Sequence, residues 1–352
     1  MSEPLTILWV ASELEAHGGI GRVLAGGAGA LAARGHRVHV AGPARAAATG
    51  FDGLETHAWP QRSLKLARLF DLLPLVRRLR PDVVHFHSAM PHGEVIATLR
   101  LVRRGGRPLL VATPHSSRPY TKRRARLGLR AADRVVAPSA WAAEHARAAG
   151  ARNVDVVPAG IDLGSEPDLD ARASAILFLG RLAPTKGVDA LLDAFERVAR
   201  ERPAWQLRIA GDGIERDALV RRAQETAVRD RVRFLGWLEG CAKRDALARA
   251  AIGVLPSRRE SFGGALLEMA ASGLACVASD VGGVRDVASE GRAVRLVAPG
   301  DVAALAETLG ALMDDRGARL GLARAGRDHA RRFDWRAVAA QLEAIYRAPA
   351  RS

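Results

Sequence analysis

Runs of four to six apolar residues alternate along this chain with long Ala-, Leu- and Arg-rich stretches of helical period. That alternation is the pattern of parallel strands covered by helices, because a strand buried on both faces reads as a continuous apolar run. In the first half strands are expected at Leu5–Ala11, Arg37–Ala41, Asp82–His87, Leu109–Thr113, Arg134–Ala137 and Asp155–Val157. The stretch from Gly160 to Ala173, acidic and interrupted by Pro167, breaks the period and reads as a connection. The pattern then restarts at Ala175–Gly180, Leu207–Ala210, Val232–Leu235, Ile252–Leu255, Cys276–Ser279 and Val294–Val297. Two Rossmann-like domains are expected, 1–164 and 165–332, which suits a chain of 352 residues.

Composition narrows the function classes. Cys241 and Cys276 are the only cysteines, so neither a disulfide framework nor a cysteine zinc cluster is expected. No window approaches a membrane span, and Met1-Ser2-Glu3-Pro4 lacks the basic start of a signal peptide, so a soluble cytoplasmic protein is expected. The formal charge of +15 raises nucleic-acid binding, but 49 of the 53 basic residues are Arg and aromatics for base stacking make up only 5%. Residues 1–164 carry 23 basic against 12 acidic side chains, whereas 165–352 carry 30 against 26. The excess therefore belongs to the first half, concentrated at Arg77–Arg80, Arg100–Arg107 and Arg118–Arg130. It suits an acidic acceptor or the inner face of an anionic membrane, beside the plainer reading of a solvated surface.

In doubly wound sheets ligands sit beyond the carboxyl ends of the strands, so the loops there carry the chemistry. The first such loop contains His17-Gly18-Gly19-Ile20-Gly21-Arg22, a glycine-rich turn whose backbone amides suit an anion and which opens a helix with further glycines at 26, 27 and 29. The second strand ends in Ala41-Gly42 without the acid that would hold a ribose, which argues against an NAD enzyme. His115, just past the fourth strand and facing the expected interdomain cleft, could hydrogen-bond a hydroxyl or carry a proton. In the second half, Arg181 and Lys186 lie five residues apart around a turn and can reach the two phosphates of a diphosphate. Glu260 follows a later strand, and Glu268 lies about one turn into a helix begun by Gly264 or Ala265, an N-terminus that offers amides to an anion. Glu268 stands among Leu266, Leu267, Met269 and Ala270, where an unpaired acid is costly without a ligand or polar partner.

These elements together resemble the retaining nucleotide-sugar glycosyltransferases of GT-B fold, glycosyltransferase family 4. The resemblance rests on the two Glu seven residues apart in Glu260-Ser261-Phe262-Gly263-Gly264-Ala265-Leu266-Leu267-Glu268, on Gly180-Arg181 with Lys186-Gly187, on the glycine-rich N-terminal turn, and on Val156 to Asp162. Pro138-Ser139-Ala140-Trp141, Gly211-Asp212-Gly213, Phe234-Leu235-Gly236, Gly282-Gly283 and Phe333-Asp334-Trp335 agree in order and spacing. The resemblance implies two Rossmann-like domains facing a cleft, with a C-terminal helix, 333–352, crossing back to the acceptor-binding first domain. It implies that Arg181 and Lys186 hold the donor diphosphate and that Glu268 takes the ribose. Glu260 would meet the transferred sugar, Ser261, Phe262, Gly263, Gly264 and Ala265 would offer amides, and Leu235 would lie by the base. Gly18 and Gly19 would close over the donor, and His115 would bond the sugar near the reacting centre. Ala159, Asp286 and Val294 depart from the family's common Asn, Glu and Gly, and none of the three removes a charge the chemistry needs.

The resemblance further implies a metal-independent hexosyltransferase that retains the anomeric configuration, the leaving phosphate helping to deprotonate the acceptor. No cofactor is required on this reading; a nucleoside diphosphate sugar, UDP-linked or GDP-linked with UDP favoured, is the co-substrate. The acceptor is a glycan, a lipid-linked glycan or a small molecule, as in glycan biosynthesis, and peripheral membrane attachment is open. The alternatives are a GT-B phosphorylase or sugar-nucleotide epimerase using the same donor pocket, and a non-enzymatic basic protein binding nucleic acid or membrane.

Overall fold

The computed structural model describes residues 3–11, 19–43, 51, 53–59, 65–88, 92–103, 105, 107–289 and 291–348. It divides into two compact units, Met1–Gly160 with Phe333–Ser352, and Ile161–Arg332.

The first unit runs β1 (Thr6–Ala11), α1 (Gly19–Ala33), β2 (Arg37–Gly42), β3 (Glu55–Ala58), α2 (Lys65–Leu79), β4 (Val83–Ser88), α3 (Gly93–Val102), β5 (Leu109–Pro114), α4 (Arg123–Ala131), β6 (Arg134–Ala137), α5 (Ala140–Ala148) and β7 (Val154–Val156). Its seven strands are parallel in the order β3-β2-β1-β4-β5-β6-β7. Because side chains alternate across a sheet, β1 serves two cores. Ile7, Trp9 and Ala11 pack with Leu24, Ala28 and Leu31 of α1, while Leu8 and Val10 pack with Leu72, Val76, Ile96 and Leu99 on the opposite face. The strand β3 is an addition to the sequence reading. Glu55-Thr56-His57-Ala58 has no apolar run, and it pairs on one side only, in parallel with β2.

The second unit runs β8 (Ala173–Leu179), α6 (Val188–Ala199), β9 (Gln206–Ala210), α7 (Arg216–Glu225), β10 (Val232–Gly236), α8 (Gly240–Arg249), β11 (Ala250–Leu255), α9 (Gly264–Ala271), β12 (Ala275–Ser279), α10 (Val284–Ala288), β13 (Arg295–Val297), α11 (Val302–Asp314) and α12 (Arg316–Ala330). Its six parallel strands stand in the order β10-β9-β8-β11-β12-β13. The Asp301 and Asp315 carboxylates cap α11 and α12 by accepting from the Ala304 and Ala318 amides at 2.9 and 2.8 Å.

The chain then returns to the first unit as α13 (Trp335–Arg347), capped by Asp334, which accepts from the Arg336 amide at 2.7 Å. Trp335, Val338, Leu342, Ile345 and Tyr346 enter the core formed by β1 and α1. Here the glycines at 26 and 27 find their reason. A Cβ on Gly26 would lie 2.3 Å from the Trp335 indole, and one on Gly27 would lie 2.7 Å from Trp9. They are packing positions of α1, the helix that the glycine-rich turn opens.

Candidate active site

In the second sheet the strand order reverses between β8 and β11, so the loops after those two strands flank the crevice where such sheets bind ligands. The first loop, Gly180 to Gly187, carries Arg181 and closes with a 3₁₀ turn, Pro184–Lys186. Gly187 stands at φ +66°, and a Cβ there would sit 2.1 Å from the Pro256 carbonyl of the second loop. The two loops are stitched together. The Arg258 amide donates to Thr185 O at 2.8 Å, and its guanidinium donates to Pro184 O and to both Asp189 oxygens at 2.7–2.9 Å. Behind the first loop, Leu182 N donates to Asp212 O at 2.8 Å, and a Cβ on Gly211 would meet Gly180 O at 1.8 Å. The Gly211-Asp212-Gly213 turn is therefore the backing of the Arg181 loop.

On this frame Lys186 and Glu260 meet: Nζ donates to both carboxylate oxygens, at 3.0 and 2.8 Å, with the side chains 21% and 13% exposed. Arg181 is exposed and forms no ion pair among the described residues. Past Glu260 the chain buries Phe262, turns through Gly263 at φ +94° and starts α9, whose first amides have no intrahelical acceptor. Ser261 is partly buried, and Gly264 is exposed, with open space where a side chain would be. The Gly283 amide donates to Glu260 O at 3.3 Å, so the Gly282-Gly283 turn supports the same loop.

Glu268 has, within the fold, a polar partner of the kind its apolar neighbours call for. Lys243, in the first turn of α8, closes a tight ion pair with Glu268 Oε1, and both side chains are largely buried. Leu235, exposed at the end of β10, leads through Trp237 and Glu239 into that turn, with Trp237 Nε1 donating to Glu239 Oε1 at 2.6 Å. One end of the second unit thus gathers an unpaired guanidinium, two lysine–glutamate pairs and a helix N-terminus.

Known proteins give this arrangement a family. The model described as Glycosyltransferase Family 4 matches residues 17–165, and that described as Glycosyl transferases group 1 matches 173–315. The chain belongs to glycosyltransferase family 4. It is 35% identical over 207 residues to glycogen synthase of Mycobacterium tuberculosis, covering 57% of this chain and 50% of that protein. It is 37% identical over 202 residues to phosphatidyl-myo-inositol mannosyltransferase of Mycobacterium leprae, covering 57% of this chain and 52% of the relative. The matches thus span about half the length of these curated relatives. The crystal structure of Anabaena HepE with UDP and glucose superposes at a TM-score of 0.78 and 20% identity, over 97% of this chain and 99% of HepE. The two Rossmann-like units are those of the GT-B fold.

The remaining residues expected at the site, Gly18, Gly19 and His115, fall in the first unit. Gly18 lies outside the described residues; Gly19 is exposed at the start of α1, with open space among the described residues where a side chain would be. His115 follows β5, its amide donating to Ser88 O at 2.9 Å and its Nε2 lying 3.3 Å from His87 Nδ1, the rings stacked. Behind them Trp9 Nε1 donates to the Tyr346 hydroxyl at 3.1 Å. Tyr346 Oη in turn lies 2.6 Å from His85 Nδ1, and His85 Nε2 lies 2.7 Å from Thr113 Oγ1, so both ring nitrogens of His85 are hydrogen-bonded. Burial disfavours the charged imidazolium, pushing His85 and His87 well below the usual histidine range and His115 down to about 4. At neutral pH His115 is therefore a hydrogen-bonding group, not a carrier of positive charge.

The same shifts set a pH dependence. Between pH 6.5 and about 4 the unfolded chain binds these protons and the folded chain does not, so stability is full above pH 6.5 and falls as pH drops. His115 alone costs at most about 2 kcal/mol at pH 5. Calorimetric unfolding is expected to show a lower midpoint at pH 5 than at pH 7, with a shallower fall in His115→Gln; coincident midpoints would refute the buried neutral cluster.

Proposed function

We propose that this chain transfers a hexose-type sugar from a nucleoside diphosphate donor, UDP-linked, to an acceptor bound by the first unit, with retention of configuration and without a metal ion. The observation that carries the reading is the cluster at the switch point: Arg181, Lys186 paired with Glu260, Glu268 paired with Lys243, and the start of α9. A diphosphate leaving group develops charge as the glycosidic bond breaks, and fixed cations and helix amides stabilise that charge without reorganising. Arg181 has a fork to give, and Lys186 is held ready by an acid that a bound diphosphate displaces as its partner. On this reading Glu268 accepts from ribose hydroxyls, and Glu260 from the transferred sugar. His115, neutral, bonds a sugar hydroxyl, and the leaving phosphate takes the acceptor proton. HepE, solved with UDP and glucose, supports a UDP donor.

The acceptor is read as a glycan, lipid-linked or small molecule with acidic groups. Support comes from α4 and its approach, where Lys122, Arg123, Arg126 and Arg130 are exposed. An anionic membrane surface would meet the same charges. Among the described residues no helix is long and apolar enough to cross a membrane.

A thermal-shift series over UDP, GDP, ADP and their sugars tests the donor. A ligand at a hundred times its dissociation constant adds about 2.7 kcal/mol to stability, so UDP is expected to raise the midpoint, with the gain lost in Arg181→Ala. No shift with any nucleotide would sink the reading. In the acceptor arm, salt should slow transfer to acidic acceptors and spare neutral ones.

A further inference from the structure

The edge of the first sheet carries a cluster that the donor chemistry does not use. In the parallel pairing of β2 with β3, His39 stands opposite Glu55 and Ala41 opposite His57. Residues two apart on a strand share a face, so Glu55 and His57 present their side chains on one side of β3, and His39 joins them from β2. His39 Nδ1 lies 3.2 Å from His57 Nε2 and 3.2 Å from Glu55 Oε2, and all three ligand atoms fall within 4.8 Å of one another.

Hydrogen bonding alone serves this arrangement poorly. His39 Nδ1 holds either one proton or one lone pair, and along a straight bond it can serve only one of its two neighbours. A cation at the centre of the three takes a lone pair from each at once. The spacing fits: in a tetrahedral zinc site with bonds of 2.0–2.1 Å the ligand atoms stand about 3.3 Å apart. His39 is buried, which fixes one ligand, while the Glu55 side chain is 74% exposed and free to close in.

We propose that His39, Glu55 and His57 form a binding site for a divalent transition metal ion of the zinc class, with water in the remaining position. Two imidazoles and one carboxylate are a donor set that suits such ions. The site lies in the first unit, on elements other than those bearing Arg181, Lys186, Glu260 and Glu268, and joins the edge strand β3 to its neighbour β2. Arg78 of α2 approaches His57 Nδ1 at 3.4 Å. Once Nε2 holds the ion, Nδ1 carries the proton, and this exposed guanidinium must turn away to solvent.

The test is calorimetric titration of the chelator-stripped full chain with zinc chloride, paired with visible absorption of bound cobalt(II). One ion per chain is expected, with affinity at least about tenfold weaker in both Glu55→Gln and His57→Ala and the cobalt absorption lost. Both substitutions lie on the edge strand, away from the core; should His57→Ala fail to fold, Glu55→Gln decides. The proposal is overturned by the absence of a stoichiometric site, or by wild-type affinity in a folded variant, which would place the ion on other histidines such as His87 and His115.

Discussion

Lys186→Ala is expected to lower kcat/KM for sugar transfer at least about a hundredfold while the protein remains folded. Two effects act in the same direction. The variant removes a cation from the proposed diphosphate site, and it leaves the Glu260 carboxylate, 13% exposed, without its partner and next to an incoming dianion. Folding survives because the loop is held independently by the Arg258 bonds to Thr185, Pro184 and Asp189 and by the close fit of Gly187 on Pro256. Lys186→Arg should restore only part of the rate, since a planar fork does not replace a compact ammonium gripping two carboxylate oxygens. Initial rates with a UDP-sugar, beside circular dichroism of each variant, measure both. Unchanged kcat/KM in Lys186→Ala would remove this residue from the donor site.

The second large effect is on stability. In a solvent-facing helix, Gly→Ala ordinarily stabilises by up to about 1 kcal/mol. At Gly26 the sign reverses, because the new methyl would stand 2.3–2.6 Å from three atoms of the Trp335 ring, which is rigid and buried. Overpacking of this kind costs about 1–3 kcal/mol. Gly29, exposed on the same helix with open space around it, is the internal control. Denaturant unfolding should therefore show Gly26→Ala weaker and Gly29→Ala equal to or stronger than the parent; two stabilising substitutions would mean that α13 does not pack on α1 as described.

Twelve of the thirteen strands among the described residues were legible in sequence, within one or two residues at their ends, because strands buried on both faces announce themselves as apolar runs. The exception, β3, is an edge strand of Glu, Thr, His and Ala, and its metal-ligand pattern appears only when His39 is set beside it by register. Within the candidate site, charge and loop position were readable for Arg181, Lys186, Glu260 and Glu268. Lys243 was not, since it sits among surface residues of α8 and meets Glu268 only through the fold. A faint signal existed. In a chain with 49 Arg and 4 Lys, a lysine is unusual anywhere, and Lys186 and Lys243 are two of the four. The packing role of Gly26 and Gly27 was not legible for a related reason, because the partner that crowds them, Trp335, belongs to the far end of the chain.

That distant partnership bears on how the protein is made. The second unit is one continuous segment, Ile161–Arg332, and holds all its core when its last residue leaves the ribosome. The first unit does not. Its core lacks Trp335, Leu342, Ile345 and Tyr346 until α13 emerges, and without the Tyr346 hydroxyl, His85 and Trp9 have lost a buried hydrogen-bond partner. The Arg34–Glu343 pair joining α1 to α13 is equally absent. The segment synthesised first is thus the last to be completed, with the whole second unit held as a loop between its halves.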